Sequence, residues 1–405
     1  MICVYSQSPY KLVSQPGKEG VTIMKRFTGF LISAVLLAAL FTVPASAASS
    51  AVYTSEELFT DRDLRQTADL ADAVKYTVSD GQDIRITSAG VYVITGTAGD
   101  ATVIVEAGKD DKVQLVLDGV SITNADFPAI YIKSADKVFI TLSSDSSLAV
   151  AGTFRADGST NTDGVIFSKA DLTMNGTAAL DISSTNNGIV SKDDVKVTGG
   201  TYRINAYSKT IEASDSIRIA GGTLDLTAGM DGLHAENEKD AKKGFVYISG
   251  GSLTISAGDD GIHGTSVVQI DGGTQNIRAN EGIEGTYIQI NGGTMNIESS
   301  GDGINAGRKS SAYTPLIEIN DGDITIVMSD GDTDGIDANG HIIVNGGIIR
   351  VTGSSTFDYD GTAQYNGGTI IVNGQQVSSI PNQMTGGRGD RGGNSNSGRG
   401  GRGGR

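Results

Sequence analysis

The feature that most constrains this chain is a unit repeated between about Val165 and Asn373. Each copy contains an apolar strand, a Gly-Gly turn, a second strand, and then an acidic residue before glycine and an aliphatic residue. The turn positions, where Asp321-Gly322 replaces one glycine pair, are separated by 22, 29, 22, 20, 29, 25 and 21 residues. A repeat of this length with strands and no helical pattern predicts a solenoid of stacked units.

The strands alternate apolar and polar residues, as in Val267-Val-Gln-Ile270 and Thr274-Gln-Asn-Ile277, which predicts one buried and one exposed face. Glycine at the corners provides the positive φ that tight turns need. We therefore predict an all-β chain, a parallel β-helix of about twelve coils. Equivalent side chains should stack about 4.8 Å apart. The amides at one repeated corner should hydrogen-bond to one another along the stack: Asn291, Asn320, Asn345 and Asn366.

The chain begins with features of an exported protein. Met24-Lys-Arg precedes an apolar run and the small-residue pattern Ala45-Ser-Ala47, which is typical of a signal peptide. We therefore expect a secreted protein, with retention at the cell surface through its basic tail as the alternative. The predicted organisation is an upstream segment and signal peptide at 1–47, a linker or N-terminal cap at 48–80, the β-helix domain at 81–380 and a disordered Gly/Arg-rich tail at 386–405.

The charge of the chain narrows its partners. Without residues 1–47 the chain has 27 basic and 46 acidic residues, a net charge of −19, and without the tail as well the charge is −23. Such a surface repels nucleic acid and anionic membranes and attracts divalent cations. No segment after the signal peptide is apolar enough to span a membrane, and we expect a monomer. The only cysteine, Cys3, precedes the cleavage site, and the chain has no tryptophan.

Two outward-facing positions of the unit carry most of the functional candidates. The first column is the residue before the third-strand glycine, and the second column lies about three residues later. The first column is Asp163, Asn187, Thr210, Asp231, Asp260, Glu281, Asp302, Asp334 and Asp360. The second column is Glu212, His234, His263, Glu284, Asn305 and Asp337.

Stacked carboxylates repel one another by roughly 3 kcal/mol per neighbouring pair at an effective dielectric near 20. Calcium relieves this repulsion because it accepts six to eight oxygen ligands in flexible geometry. The segment Asp330-Gly-Asp-Thr-Asp-Gly335 also matches the first half of an EF-hand loop, although position twelve is His341 instead of an acid. The predicted calcium ligands are Asp330, Asp332, Asp334, Asp337, Asp302, Asp360, Asp260 and Glu281. The alternative is a solvated acidic face without bound metal.

Two units are longer than the others and insert residues at the same corner, around 236–243 and 308–315. Loops that leave one corner of a solenoid rise on the same side, so they should flank the columns and add cations and an aromatic ring. A shallow groove of this composition suits a polysaccharide, especially a uronate chain. The predicted carbohydrate-binding residues are His234, His263, Glu284, Asn305, Arg308, Lys309 and Tyr313.

Several segments resemble the secreted bacterial carbohydrate-binding β-helix family. They are Phe59-Thr-Asp-Arg-Asp-Leu64, Val113–Asn124, Ala129–Leu142 and the repeated Gly-Gly and Asp-Gly-Ile elements. The resemblance implies a single-stranded right-handed parallel β-helix, a pectate-lyase-like solenoid that contains calcium. It also implies non-catalytic binding of plant cell-wall polysaccharides such as polygalacturonate or cellulose. Ser143–Val150 departs from the family's pattern after the Asp-Lys-Val strand.

Three functional classes remain open at this point: a polysaccharide binder, a calcium-dependent pectate lyase, and a structural or adhesive surface protein. A lyase needs a basic side chain near calcium, for which Lys209, Arg278, Arg308 and Lys309 are candidates. An inverting hydrolase that pairs Asp163 with Asp260 is excluded. Four stacked units separate these residues by about 19 Å, whereas such carboxylates stand about 6.5–9.5 Å apart.

Overall fold

A computed structural model describes residues 51–329 and 333–383. The predicted signal peptide, the predicted tail at 386–405 and the predicted ligands Asp330 and Asp332 lie outside the described residues. The described chain is all-β, as predicted, with 34 strands and one helical turn, α1 (Ser55–Leu58). Within the same ranges, none of the helical structure has the length or hydropathy needed to cross a membrane.

The strands, in chain order, are β1 (Val74–Thr77), β2 (Ile84–Ile86), β3 (Gly90–Ala98), β4 (Val103–Glu106), β5 (Lys112–Asn124), β6 (Ile130–Ser134), β7 (Lys137–Ser144), β8 (Ser146–Val150), β9 (Gly164–Ser168), β10 (Asp171–Gly176), β11 (Ala179–Ser184), β12 (Asn187–Ser191), β13 (Asp194–Val197), β14 (Thr201–Ala206), β15 (Ile211–Ala213), β16 (Ser216–Ile219), β17 (Thr223–Ala228), β18 (Leu233–Ala235), β19 (Phe245–Ile248), β20 (Ser252–Ala257), β21 (Asp260–Ile270), β22 (Thr274–Ala279), β23 (Glu281–Ile290), β24 (Thr294–Ser299), β25 (Ile304–Ala306), β26 (Leu316–Ile319), β27 (Asp323–Met328), β28 (Asp334–Ala338), β29 (His341–Val344), β30 (Ile348–Thr352), β31 (Ser355–Tyr359), β32 (Ala363–Tyr365), β33 (Thr369–Val372) and β34 (Gln375–Val377).

The strands pair in three ladders, and each strand pairs with its counterpart one unit further along the chain. Ladder 1 runs from β1 through β3, β5, β7, β10, β13, β16, β19, β21, β23, β26 and β29 to β32. Ladder 2 runs from β2 through β4, β6, β9, β12, β15, β18, β21, β23, β25 and β28 to β31. Ladder 3 runs from β3 and β5 through β8, β11, β14, β17, β20, β22, β24, β27 and β30 to β33. Between the described strands, all pairings are parallel except the antiparallel pair β33–β34.

The core is made of aliphatic side chains that occupy the same place in successive units. In ladder 2, Leu233 pairs with Ile262 and Ile262 pairs with Ile283, and all three are fully buried. One continuous cluster of buried residues extends in this way from Val78 to Ile380. Because protein interiors are close-packed, loss of one branched side chain from this stack should leave a cavity that its neighbours close only in part.

The corner glycines and asparagines form the turns that the repeat predicts. The second glycine of each pair has positive φ, as at Gly251, where φ is +91°. A Cβ built there would lie 3.0 Å from the carbonyl oxygen of Gly222, so both the conformation and the close stacking require glycine. Each amide hydrogen-bonds to the preceding one, and Asn320 Nδ2 donates to Asn291 Oδ1 at 2.7 Å.

The N-terminal segment, residues 51–66, packs along the side of ladder 1. Tyr53 stacks on Phe245 with ring centroids 4.3 Å apart, and its backbone N–H donates to Gln269 Oε1 at 2.8 Å. Further along, Asp63 is completely buried and accepts ion-paired hydrogen bonds from Lys137 at 3.1 Å and Lys196 at 3.2 Å. Residues 51–66 of the segment predicted as a linker or cap therefore contact ladder 1 along its side.

Candidate functional site

The register of ladder 2 brings both columns together along one face. In the second column, Glu212, His234, His263, Glu284, Asn305 and Asp337 pair in succession. The first column follows the same units from Asp231 to Asp334, and Asp260 pairs with Glu281. Two earlier members were misplaced. Asn187 pairs with Gly164 instead of Asp163, and the pairing of Ile211 with Leu233 puts Lys209, not the buried Thr210, in line with Asp231. The outward side chains of ladder 2 are therefore a continuous polar strip.

The last unit departs from the prediction. Ser355 pairs with Asp334, and Asp358 pairs with Asp337, so Asp360 does not belong to the first column. The prediction followed the Asp-Gly pattern of Asp360-Gly361, but the turn after β30 is short and brings Ser355 into register. Asp360 is exposed beyond the end of β31, although its charge still contributes to raising the pKa of Asp337.

The centre of the strip is His263. Its Nδ1 lies 2.9 Å from Asp260 Oδ2 and 2.7 Å from Glu284 Oε2. Burial alone would lower the pKa of His263, but the hydrogen bonds to Asp260 and Glu284 outweigh it and raise the pKa to about 9. Glu284 Oε1 also lies 2.5 Å from Lys309 Nζ. Although burial raises the pKa of Glu284, its bonds to His263 and Lys309 lower it to about 2.

The neighbouring unit repeats part of this arrangement. His234 Nδ1 lies 2.7 Å from Asp231 Oδ2, and the ring of His234 stacks on that of His263. The backbone N–H of Asp260 donates to Asp231 Oδ1 at 3.1 Å. The stacked rings follow from the register, because Asp-Gly-Leu-His234 and Asp-Gly-Ile-His263 occupy equivalent positions.

The residues that the structure describes in the C-terminal part of the strip offer oxygen atoms as metal ligands. Burial, together with the charges of Asp302 and Asp334, raises the pKa of Asp337 to about 7. Two buried oxygens here, Asn305 Oδ1 and Asp358 Oδ1, accept no hydrogen bond from any residue that the structure describes. Unsatisfied buried oxygens among carboxylates are the kind of site that a hard divalent cation satisfies.

Asp260, His263 and Glu284 together form the histidine centre of the strip. Glu281 lies between this histidine centre and the oxygen-rich C-terminal part. Burial raises the pKa of Glu281 to about 7, despite a hydrogen bond that it accepts from Asn305 Nδ2 at 3.0 Å. A carboxylate that titrates near neutral pH can accept a proton from a substrate.

The N-terminal part of the strip is bordered by lysines. Glu212 lies 3.1 Å from Lys192 Nζ and 3.5 Å from Lys209 Nζ. Beside it is a cleft of about 780 Å³, one wall of which is formed by the predicted insertion at 236–243. This insertion therefore flanks the strip. Lys192 and Lys209 were not among the residues predicted from the sequence to bind carbohydrate.

The second insertion is divided between two environments. Lys309 points to the strip, Arg308 is exposed, and Ser310 Oγ donates to the carbonyl oxygen of Ala241 in the first insertion. Tyr313, in contrast, packs near Tyr287 in the apolar cluster under the N-terminal segment. Contact between Tyr313 and a glycan stays a prediction that this packing disfavours. Of the lyase candidates, Arg278 lies on ladder 3, where its guanidinium pairs with Glu298.

A second acidic group was missed by sequence reasoning. Asp171, Asp193 and Asp194 bring carboxylate oxygens within 4.8 Å of one another at the start of ladder 1 strands. Burial, a hydrogen bond with Asp215 and the charge of Asp171 raise the pKa of Asp193 to about 7. The repeated Asp before these strands was a visible signal, but it falls outside the Asp-Gly-aliphatic pattern that defined the columns.

The fold and the strip define a class of protein: an all-β chain of stacked parallel strands with a charged strip along one ladder. The chain belongs to the family of carbohydrate-binding domain-containing proteins, whose profile matches residues 80–332 and 279–378.

Two individual proteins are similar to it. A carbohydrate-binding domain-containing protein of Acetivibrio thermocellus is 37% identical over 130 residues, which is 31% of this chain and 46% of the relative. The match thus spans less than half of the relative's length. A solved polysaccharide lyase-like protein from C. thermocellum is 32% identical, covers 56% of this chain and 94% of its own, and gives a TM-score of 0.48.

Proposed function

We propose that this chain is an exported, calcium-dependent protein that binds cell-wall polysaccharide without cleaving it, and that its ladders wind as a right-handed parallel β-helix. The single observation that carries the binding proposal is the unbroken polar strip from Glu212 to Asp337. Its side chains repeat at strand spacing, about 4.8 Å. A polymer can therefore bind along it through several successive units.

The charges of the strip favour a uronate chain. Three ammonium groups lie along the strip. Those of Lys192 and Lys209 are beside Glu212, and that of Lys309 is beside Glu284. Such cations attract the carboxylates of a ligand locally, although the net charge of the protein repels them. The remaining acidic face needs divalent cations for the same ligand to approach.

Calcium fits the C-terminal part of the strip. Asp302, Asp334 and Asp337 would hold it there with Asn305 Oδ1 and Asp358 Oδ1, to which no described residue donates a hydrogen bond. Bound calcium supplies positive charge to which both protein and ligand carboxylates can coordinate.

The test is binding to polygalacturonate and to a neutral β-glucan, with and without EDTA. Polygalacturonate binding should disappear in EDTA, whereas neutral glucan binding should persist. Lys309→Gln should weaken polygalacturonate binding by roughly five-fold, equivalent to about 1 kcal/mol. The matched control is Lys75→Gln, which removes an exposed lysine of ladder 1. Unchanged uronate binding in EDTA contradicts the proposal.

A second candidate, a polysaccharide lyase, is favoured by Glu281. Its pKa of about 7 suits a residue that removes a proton at neutral pH. Unsaturated oligouronates, followed by absorbance at 235 nm, would accumulate only if the chain cleaves its ligand. Loss of that absorbance in Glu281→Gln, with binding retained, would assign the proton transfer to Glu281.

A further inference from the structure

The histidine centre combines a nitrogen ligand with two carboxylates, whereas the described C-terminal part of the strip offers oxygen ligands. Asp260, His263 and Glu284 are exposed by only 7%, 8% and 5%. Each contributes one ligand atom, a nitrogen from His263 and an oxygen from each acid, and these atoms lie within 4.8 Å of one another. The three side chains come from two adjacent strands of ladder 2, so the backbone register holds them together.

We propose that Asp260, His263 and Glu284 form a site for a divalent transition-metal ion of the zinc type, separate from the calcium region. Calcium takes oxygen ligands, whereas an imidazole nitrogen with two carboxylates is a donor set that zinc and its neighbours accept. Three protein ligands also leave a coordination position open, as in sites where zinc contacts a ligand or water. The inference does not depend on glycan binding.

The charges of Asp260, His263 and Glu284 favour binding of a divalent ion. Without metal, the proton on His263 Nδ1 serves both carboxylates, and the three groups together carry one net negative charge. When a divalent ion replaces that proton, the imidazole becomes neutral and the group with its ion becomes neutral as well. The displaced proton goes to solvent, so binding strengthens as pH rises.

The geometry requires a small expansion. Tetrahedral ligand atoms about 2 Å from zinc stand roughly 3.3 Å apart. The two contacts of His263 Nδ1 are 2.9 Å to Asp260 and 2.7 Å to Glu284, so the atoms must separate by about half an ångström. Rotation of the Asp260 and Glu284 side chains is the movement that would supply this separation.

Neighbouring groups orient the ligands. Lys309 binds Glu284 Oε1 and leaves Oε2 directed at His263. Asp231 accepts the backbone N–H of Asp260, and the ring of His234 stacks on that of His263. Outer contacts of this kind fix the orientation of metal ligands.

The experiment is calorimetric titration of the full chain with zinc chloride in excess calcium, which saturates oxygen-only sites. We expect one zinc per chain and release of about one proton, measured in two buffers of different ionisation enthalpy. His263→Gln and Glu284→Gln should each weaken zinc binding by about a hundredfold or more. His341→Gln is the matched control, because His341 contacts Thr362 on a different ladder. Asp337→Asn should leave zinc binding unchanged.

Circular dichroism confirms that each variant is folded, and cobalt(II) absorption of the wild-type chain reports nitrogen coordination independently of the variants. Absence of stoichiometric zinc binding by the wild-type chain would overturn the inference. Zinc binding that survives in His263→Gln but is lost in His341→Gln or Asp337→Asn would also overturn it.

Discussion

The imidazole rings of His234 and His263 stack with centroids 4.7 Å apart and planes inclined by 16°. This separation is the spacing between neighbouring strands of a sheet. The pair therefore reports the register of ladder 2 directly, and it shows how an interval of 29 residues in sequence becomes direct contact. Asp231 and Asp260 repeat the same relationship three residues earlier.

Calcium should stabilise the folded chain. A ligand at one hundred times its Kd that binds only the native state adds about 2.7 kcal/mol, so millimolar calcium should raise Tm relative to EDTA. The double variant Asp302→Asn/Asp337→Asn should lose most of that increment. Differential scanning calorimetry measures both effects.

Asp225→Asn is the matched control for the calcium measurement, because Asp225 is an exposed acid of ladder 3. Its calcium increment should equal that of the unaltered chain. Equal melting in calcium and EDTA for the unaltered chain would contradict a native-state calcium site.

The stacked core should be sensitive to truncation. Ile262→Ala removes a fully buried side chain between Leu233 and Ile283 and should lower the free energy of unfolding by about 2–5 kcal/mol. Thr254→Ala changes an outward residue of ladder 3 and should have an effect below about 0.5 kcal/mol. Urea denaturation followed by circular dichroism compares the two, and similar losses would contradict the placement of Ile262.

The sequence predicted the repeated contacts because periodicity alone determines them. The amide row through Asn291 and Asn320, and the second column through His263 and Glu284, need only a constant register. Asp360 was misplaced because one shortened turn breaks that register. The contacts of Asp63 with Lys137 and Lys196 could not be predicted from the repeat. They join residues 51–66, which are not part of the repeat, to strands far along the chain.

Asp193 should make stability fall as pH rises. Its pKa is raised to about 7 in the folded chain, against about 3.9 when unfolded. The folded chain therefore binds its proton more tightly, so this contribution to stability is fully present below pH 4 and is lost as pH rises through 7. Asp193→Asn should stabilise the chain at pH 8 and change little at pH 4.

Urea denaturation at these two pH values measures the effect of Asp193→Asn. The exposed acid Asp181, on ladder 3, provides the control Asp181→Asn. If Asp193→Asn raises the free energy of unfolding as much at pH 4 as at pH 8, the stabilisation does not come from removing the ionisation of Asp193.

Asp63 should have the opposite dependence on pH. Despite its burial, the backbone N–H of Thr60 and the charges of Lys196 and Lys137 hold its pKa well below the ordinary value. Its contribution is therefore present above the unfolded pKa, near 3.9, and is lost as pH falls toward the folded pKa. Asp63→Asn leaves two lysines without their buried counter-ion and should cost about 3–5 kcal/mol at pH 7.

Because Asp63 ties residues 51–66 to ladder 1, Asp63→Asn should also increase hydrogen exchange at Tyr53 and Leu58 before the sheet itself opens. Asp61→Asn, an exposed substitution two residues away, is the control and should change neither stability nor exchange. If Asp63→Asn matches this control at pH 7, the buried ion pairs do not hold the N-terminal segment. If its loss is equally large at pH 3 and pH 7, the cost comes from packing instead of charge.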